Sequence, residues 1–332
     1  MSVFAFAIGA MVPSVRAVAQ STRPSSRATT ARSHVRANLP DSTFWPEGID
    51  ADPRTGKLYV ASVRHRTIAE VDANGATREL FPRDSPTLGS IFGVRVDTAR
   101  NVLWATTSAS HQVPGYAPAD SAIAALLEVR LSDGAILHRW NAPAAPGGRV
   151  LGDLAIGPTG DVLLTDSNHP VVYWLHHGRG ELDSITSPVF RSLQGMAPTP
   201  DGRSLYLADY SRGFFRVDLA TRIISPVASP TGTETRGCDG ILWFRNGILA
   251  IQNGISPARV VYLSLDRDGL HFISATVLDQ NSAIADEPTI GTILGGEFVY
   301  VANSQWEKFD ETGLRILTKP LATPVLLAVP LP

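Results

Sequence analysis

Three polar side chains that could bind a metal stand at equivalent places in this chain, each directly before a glycine that opens an apolar strand. They occur in the phrases Glu47-Gly48-Ile49, Gln194-Gly195-Met196 and Asp239-Gly240-Ile241. Carboxylate and amide oxygens are hard ligands, which Ca²⁺ and Mg²⁺ prefer, whereas zinc favours histidine and cysteine. We therefore predict a divalent cation held by Glu47, Gln194 and Asp239, with Ca²⁺ as the first choice and Mg²⁺ or Zn²⁺ as alternatives.

Two further acids, Asp153 and Glu287, lie at the start of other copies of the same phrase. A carboxylate beside a bound cation can act as nucleophile or as a base toward water, and we assign that role to Asp239 or Asp153. A simpler interpretation also applies, because turns in any β-repeat favour Asp, Asn and Gly. For three polar residues that end strands we prefer the simpler interpretation, in which they cap neighbouring loops: Asp166, Asp209 and Asn303.

Four aromatic residues fall close to these polar positions and could form an apolar wall for a substrate: Trp45, Phe92, Tyr210 and Trp306. Binding pockets for small molecules are mostly apolar with a few polar groups, so such a wall is expected. The segment 108–124 is long enough to serve as a partial lid. The same aromatic residues could instead pack within the fold.

The elements that position these residues recur along the chain. A small or acidic residue, an apolar stretch, a turn and a second apolar strand repeat six times, beginning at Glu47, Phe92, Gly152, Gln194, Asp239 and Glu287. A repeat of roughly 40–50 residues built of hairpins is typical of propeller blades. The joints contain hairpin signals such as Pro200-Asp201-Gly202 and Asn246-Gly247. We predict an all-β fold, a six-bladed β-propeller with four-stranded antiparallel blades.

A second hairpin completes most of the units, but the last unit has only the apolar strand 325–329. A strand from the N-terminal side, within 33–39, is expected to pair beside it and close the ring, because closure removes a free sheet edge. The innermost strand of each blade then begins at one end of the central channel, and the second strand of the blade finishes at that same end. This geometry gathers Glu47, Gln194 and Asp239 at one mouth of the channel.

Composition restricts the possible functions. The chain has 332 residues and a net charge of −2, so it has no basic surface that would attract nucleic acid. Its single cysteine, Cys238, excludes an intramolecular disulfide, and we interpret it as a packing residue. We expect a monomer that acts on a small molecule.

The N-terminus has the features of an export signal. A short apolar run, Val3–Val12, precedes Ala17-Val18-Ala19, which fits the small-x-small pattern of a signal peptidase site. The run is too short for an ordinary membrane span. We predict a signal peptide at 1–19, a flexible linker at 20–40 and the propeller at 41–332, in a periplasmic or secreted protein without an integral membrane span after processing.

At these residues the chain resembles the regucalcin–gluconolactonase (senescence marker protein-like) superfamily of six-bladed propellers, over about residues 41–332. Trp45-Pro46-Glu47-Gly48 is similar to the family's glutamate motif, and Cys238-Asp239-Gly240-Ile241 to its aspartate motif. One asparagine motif of the family falls on Gln194, which keeps the amide oxygen. The other falls on Gly152-Asp153, where only an adjacent acid remains. The resemblance implies a divalent ion, usually Ca²⁺, in the channel.

Two functions are therefore considered. The first is a metal-dependent hydrolase of the gluconolactonase type, a lactonase or esterase that acts on a lactone or related ester at the central channel. The second is a non-catalytic propeller that binds a small molecule, a sugar or a protein partner, because one scaffold hosts many functions. An arginine on the axis, Arg64, Arg149 or Arg236, would favour the second function.

Overall fold

The computed structural model of the chain describes residues 31–332, with the exception of residues 112, 230, 311, 315 and 317. The predicted signal peptide and linker residues 20–30 lie outside the described residues. Among the described residues, the only helices are two short 3₁₀ turns, Pro118–Ala122 and Trp306–Lys308. No helix there could cross a membrane.

Six four-stranded antiparallel sheets follow one another along the chain, which confirms the predicted propeller. The first blade contains β2 (Pro46–Asp52), β3 (Lys57–Ser62), β4 (Ile68–Val71) and β5 (Thr77–Glu79). The second contains β6 (Ser90–Asp97), β7 (Val102–Ser108), β8 (Ala124–Arg130) and β9 (Ile136–Asn141). The third contains β10 (Leu151–Ile156), β11 (Val162–Asp166), β12 (Val171–Leu175) and β13 (Leu182–Thr186).

The remaining blades repeat this order. The fourth contains β14 (Leu193–Pro198), β15 (Ser204–Asp209), β16 (Gly213–Asp218) and β17 (Ile224–Val227). The fifth contains β18 (Cys238–Phe244), β19 (Gly247–Gln252), β20 (Arg259–Leu265) and β21 (Phe272–Gln280). The sixth combines β22 (Gly291–Leu294), β23 (Glu297–Val301) and β24 (Val325–Pro330) with β1 (His34–Asn38), which comes from the other end of the chain.

The ring closes through β1, as the sequence predicts. β1 pairs antiparallel with β24, with His34 opposite Ala328 and Asn38 opposite Val325. This strand lies before Asp41, inside the segment predicted as a linker, so residues 34–38 belong to the propeller. On the inner side, the first strand of each blade contacts the first strand of the next, and β22 contacts β2. The inner strands therefore surround a central channel.

The hydrophobic core lies in the joints between blades. Each of six clusters draws buried side chains from two neighbouring blades; one, for example, joins Tyr59 and Ala61 of the first blade to Val94 and Leu103 of the second. Because both faces of a blade are covered, its middle strands carry continuous apolar runs such as Leu58–Val60 instead of an alternating pattern. This packing holds the inner strands in fixed positions around the channel.

Candidate functional site

Five of the six inner strands begin with the same irregularity in their pairing. In β2 the register shifts between Pro46 and Ile49, and the equivalent shift occurs in β6, β10, β14 and β18. In such a bulge two residues oppose one residue of the neighbouring strand, which redirects the side chain of the extra residue. The first of the two residues in each bulge is, in successive blades, Glu47, Phe92, Gly152, Gln194 and Asp239. The three predicted ligands therefore occupy equivalent places.

The second residue of the bulge is glycine in four of these five blades, because the inner strand of the next blade approaches closely. A Cβ atom on Gly195 would lie 2.4 Å from the backbone oxygen of Asp239. A Cβ on Gly240 would lie 2.7 Å from the Cα atom of Ile290. Glycine thus brings the strand that carries Gln194 directly against the strand that carries Asp239, and these two predicted ligands are neighbours.

Asp153 occupies the glycine place of the third blade, so its side chain is not equivalent to those of Glu47 and Asp239. It is buried and forms an ion pair of 3.1 Å with Arg95, which is buried as well. Its Oδ1 atom also accepts a hydrogen bond of 2.8 Å from the backbone N–H of Leu154. Burial raises the pKa of Asp153, and the charge of Arg95 opposes that rise. These contacts engage Asp153 between blades, and its catalytic role stays a prediction.

Glu47 is held at one oxygen only. The indole N–H of Trp306 donates a hydrogen bond of 2.7 Å to its Oε2 atom, and Oε1 has no hydrogen-bond partner among the described residues. Burial raises the pKa of Glu47 well above its usual range, and the negative charge of Asp239 adds to the effect. Glu287 and Asp153 raise it further, whereas the Trp306 hydrogen bond lowers it.

Asp239 is held in a similar way. Its Oδ2 atom accepts a hydrogen bond of 2.9 Å from the side-chain amide of Asn253, and no described residue donates to Oδ1. Burial raises the pKa of Asp239 to about 7; the Asn253 hydrogen bond opposes this shift, and the charge of Asp153 adds to it. Both Glu47 and Asp239 therefore keep one oxygen anchored by a neutral N–H group and one oxygen available.

Gln194 adds an amide to this pair of carboxylates. Its backbone oxygen accepts a hydrogen bond of 2.9 Å from the Thr165 hydroxyl, which ties the third blade to the fourth. No described residue makes a hydrogen bond to its side-chain amide, so the amide oxygen is available for another partner. Within the part of the chain that the structure describes, no three His, Cys, Asp or Glu side chains are grouped to hold a metal. The role of Gln194 as a third donor stays a prediction.

The arginines that could have neutralised the axis have other partners. Arg149 forms an ion pair of 2.7 Å with Asp166, and Arg236 one of 2.7 Å with Glu234. Arg64 lies over the ring of Phe309, 5.2 Å from its centroid. No cationic side chain is among the principal influences on the pKa of Glu47 or Asp239. The two carboxylates therefore act on each other without a basic partner at hydrogen-bond distance among the described residues.

An aromatic cluster adjoins Glu47. The Trp45 ring stacks on Phe309 at 3.9 Å between centroids and meets Trp306 edge-on at 4.9 Å. Phe92 lies parallel to Trp306 at 6.4 Å. Three of the four predicted wall residues are thus brought together. Tyr210 instead donates a hydrogen bond to Asn253, and Phe309, which sequence reasoning missed, completes the cluster.

Residues 305–309 lie beside Glu47 and Glu287 at this mouth, and the role of 108–124 as a lid stays a prediction. The backbone N–H of Glu307 donates to Glu287 at 3.0 Å, beside the Trp306 contact with Glu47. The Gln305 side chain holds the segment in place through the Ser42 and Ala322 backbones. Residues of 108–124, by contrast, border a small cavity with Arg66 and Leu88, near the joint of the first two blades.

The strand-end residues are structural, as the simpler interpretation predicts. Asp166 accepts hydrogen bonds from the backbone of Asn168 and His169. Asp209 accepts one of 2.7 Å from the backbone of Arg191. Asn303 accepts one of 2.7 Å from the backbone of Val325. Each therefore fixes the loops that surround the channel mouth.

Comparisons with known proteins establish the fold. The chain matches no family model and no curated protein sequence. It is similar in structure to a calcium-binding protein, regucalcin, from Agrobacterium tumefaciens, with a TM-score of 0.61 at 14% identity over 89% of this chain and 95% of that one. A gluconolactonase from Xanthomonas campestris gives a TM-score of 0.58 at 14% identity over 93% and 99%.

A third solved structure, virginiamycin B lyase from Staphylococcus aureus, gives a TM-score of 0.56 at 14% identity over 82% of this chain and 81% of that one. At this level of identity the likeness concerns the propeller alone. Because the three proteins carry different names and activities on one fold, any function for this chain has to be argued from its own residues.

Proposed function

We propose that the chain is a metal-dependent hydrolase of the lactonase or esterase type, with a divalent cation, Ca²⁺ first, bound by Glu47, Gln194 and Asp239. The observation that supports this proposal is the pair of half-buried carboxylates without a basic partner. Each is anchored at one oxygen by a neutral donor, Trp306 or Asn253, and each keeps the other oxygen available. Such outer hydrogen bonds are what orient ligands in metal sites.

A bound cation would polarise the carbonyl oxygen of a lactone or ester and stabilise the negative charge that develops there. The protein's own groups would do the rest. A water molecule attacks the carbonyl carbon and gives its proton to a carboxylate, and that proton passes to the leaving alcohol oxygen as the carbon–oxygen bond breaks. The aromatic cluster around Trp306 excludes bulk water, which strengthens these electrostatic effects.

Two carboxylates could accept the proton. Asp239 is one of the two residues that the sequence predicts for this role, with Asp153, and its pKa is raised to about 7. Glu287 is the other: one of its oxygens accepts the Glu307 N–H group, and burial raises its pKa to about 7 as well. A base is most effective when its pKa lies near the working pH. The two residues differ in that only Asp239 is also a proposed ligand.

The decisive experiment is calorimetric titration of Ca²⁺ into chelator-treated protein, followed by a screen of lactones and aryl esters. We expect Glu47→Gln and Asp239→Asn each to weaken Ca²⁺ binding by more than about tenfold and to abolish metal-dependent turnover. Glu287→Gln should keep Ca²⁺ binding, and it loses turnover if Glu287 is the base. Glu70→Gln is the matched control, because Glu70 pairs with Lys57 and Arg78 in the first blade.

The alternative function, a non-catalytic propeller that binds a small molecule, a sugar or a protein, is favoured by two of the equivalent positions. Gly152 has no side chain there, and the Phe92 side chain offers no ligand atom. Ca²⁺ binding without turnover of any lactone or ester would support this alternative. Absence of both binding and turnover in the unmodified protein would contradict the hydrolase proposal.

We further propose that the protein is exported to the periplasm or secreted, acts as a monomer on a small molecule and binds no nucleic acid. The apolar run Val3–Val12 and the net charge of −2 support these statements. Mass spectrometry of the mature N-terminus and light scattering of the purified protein would test them.

A further inference from the structure

The side chain of Asn253 uses all of its usual hydrogen-bonding directions near the proposed cation site. Its amide nitrogen donates to Asp239 Oδ2 at 2.9 Å and to the backbone oxygen of Pro288 at 2.9 Å. Its amide oxygen accepts from the hydroxyl of Tyr210 at 3.0 Å. A side-chain amide has two N–H donors and one carbonyl acceptor, so every group has a partner.

These contacts allow only one orientation of the Asn253 amide. A flipped amide would place its oxygen against the Asp239 carboxylate and the Pro288 carbonyl, where two pairs of acceptors would repel each other. The Asp239 carboxylate and the Pro288 carbonyl select the observed orientation, and the Tyr210 hydroxyl supports it by donating to the amide oxygen. The three partners of Asn253 come from the fourth, fifth and sixth blades, so the amide joins three blades at the channel mouth.

Tyr210 is itself held firmly against this loop. A Cβ atom on Gly254, the residue after Asn253, would lie 2.7 Å from the Tyr210 hydroxyl oxygen. The backbone N–H of Gly254 also donates to the backbone oxygen of Gly237 at 3.0 Å. The loop that carries Asn253 and the ring of Tyr210 are therefore packed in contact, which restricts the rotation of both side chains.

We propose that Asn253, oriented by Tyr210, is a positioning residue that anchors Oδ2 of Asp239 and thereby leaves Oδ1 as the atom available to a divalent cation. This inference rests on the proposed function, because it concerns the same cation site. It assigns no catalytic role to Asn253 or Tyr210. The sequence predicts that Tyr210 forms part of an apolar wall for a substrate, whereas this inference has Tyr210 hold the side chain of Asn253.

The test uses the affinity for Ca²⁺ by calorimetry and the luminescence lifetime of bound Tb³⁺, which replaces Ca²⁺ and reports how many water molecules coordinate the ion. We expect Asn253→Ser to weaken Ca²⁺ binding by about 10–100-fold, the usual effect of losing an outer hydrogen bond. Tyr210→Phe should weaken it by about 3–10-fold, the equivalent of one hydrogen bond. Bound Tb³⁺ should gain coordinated water in Asn253→Ser, because Asp239 then turns away.

A double-mutant cycle separates positioning from general damage to the fold. If Tyr210 acts through Asn253, the double variant should bind Ca²⁺ no more weakly than Asn253→Ser alone. The matched controls are Tyr300→Phe, which removes a buried hydroxyl from the sixth blade, and Asn246→Ser, which removes a side-chain amide that donates to the Leu265 backbone at the turn between β18 and β19. They should leave Ca²⁺ affinity and Tb³⁺ hydration unchanged.

Three outcomes overturn the inference in distinguishable ways. If the unmodified protein binds Ca²⁺ and Asn253→Ser binds it equally well, Asn253 does not position Asp239 although the cation site stands. If Asn253→Ser weakens binding but the effects of the two substitutions simply add, Tyr210 does not act through Asn253 and that part of the inference fails. If the unmodified protein binds neither Ca²⁺ nor Tb³⁺, the proposed function fails, and the positioning role fails with it.

Discussion

The acidic side chains at the channel mouth are costly for the metal-free protein. Burial without an opposite charge disfavours the ionised form of a carboxylic acid, and Glu47 and Asp239 each lack a basic neighbour. Asp153, in contrast, has Arg95, and the pair is satisfied within the protein. These acids therefore differ in their partners: Asp153 has a cationic side chain beside it, and Glu47 and Asp239 have neutral hydrogen-bond donors.

This difference predicts how the stability of the metal-free protein depends on pH. The pKa values of Asp239 and Glu287 rise from 3.8 and 4.5 to about 7 on folding. The folded state then binds more protons than the unfolded state between about pH 4 and pH 7, so the free energy of unfolding should fall as the pH rises through this window.

Urea denaturation of chelator-treated protein at several pH values would measure this effect. In Asp239→Asn the fall in stability should be smaller, because one of the raised groups is gone. Added Ca²⁺ should stabilise the unmodified protein more at pH 8 than at pH 5, since ligands bind metal in their deprotonated form. A stability that rises between pH 5 and pH 8 in the metal-free protein would contradict this account.

At the level of elements, the inner strands depend on glycine where they meet. In Gly195→Ala the new Cβ would lie 2.4 Å from the oxygen of Asp239 and 2.6 Å from the nitrogen of Ile241. Both are backbone atoms of a packed strand and cannot move aside cheaply. We expect a loss of about 1–3 kcal/mol in the free energy of unfolding, together with weaker Ca²⁺ binding.

The matched control is Gly180→Ala, whose Cβ would meet nothing within 4 Å. It should change the free energy of unfolding by less than about 0.5 kcal/mol. Chemical denaturation and calorimetry of both variants would provide the comparison. Equal stability of the two variants would show that the inner strands can separate, against the close approach described above.

The elements were largely predictable from the sequence, because the hairpin signals and the repeat report local geometry. Glu47, Gln194 and Asp239 were recognisable for the same reason, since each precedes a glycine in the repeat. Asn253, Phe309 and residues 305–307 were not, because their importance lies in contacts between blades. Nor was the partner of Asp153, because a one-residue difference within the bulge pairs it with Arg95 of the second blade.

On the scale of the whole molecule, the ring is held closed by β1. This strand covers the edge of β24, and Ala37 and Leu39 contribute to the core between the sixth and first blades. A chain that starts at Asp41 should lose at least about 3 kcal/mol in the free energy of unfolding, because it loses buried side chains and a strand pairing. It should also associate through the exposed edge of β24.

The control is a chain that starts at Ala31, because it keeps β1 and the contacts of β1. Urea denaturation and light scattering of the two truncated proteins would measure stability and association. If both proteins matched the full chain in midpoint and mass, the pairing of β1 with β24 would contribute nothing to the closed ring.

The shared sixth blade also sets an order of events during synthesis. β1 is among the first parts of the propeller to leave the ribosome, and β24 is the last strand to be made, so the contact with the greatest sequence separation forms at the very end. Until then the first blade lacks its neighbour on the side of the sixth blade, and the channel mouth, which takes residues from several blades, is incomplete. Under the proposed function, a cation bound by Glu47, Gln194 and Asp239 together would have a complete site only in the closed ring, so metal uptake would report that closure.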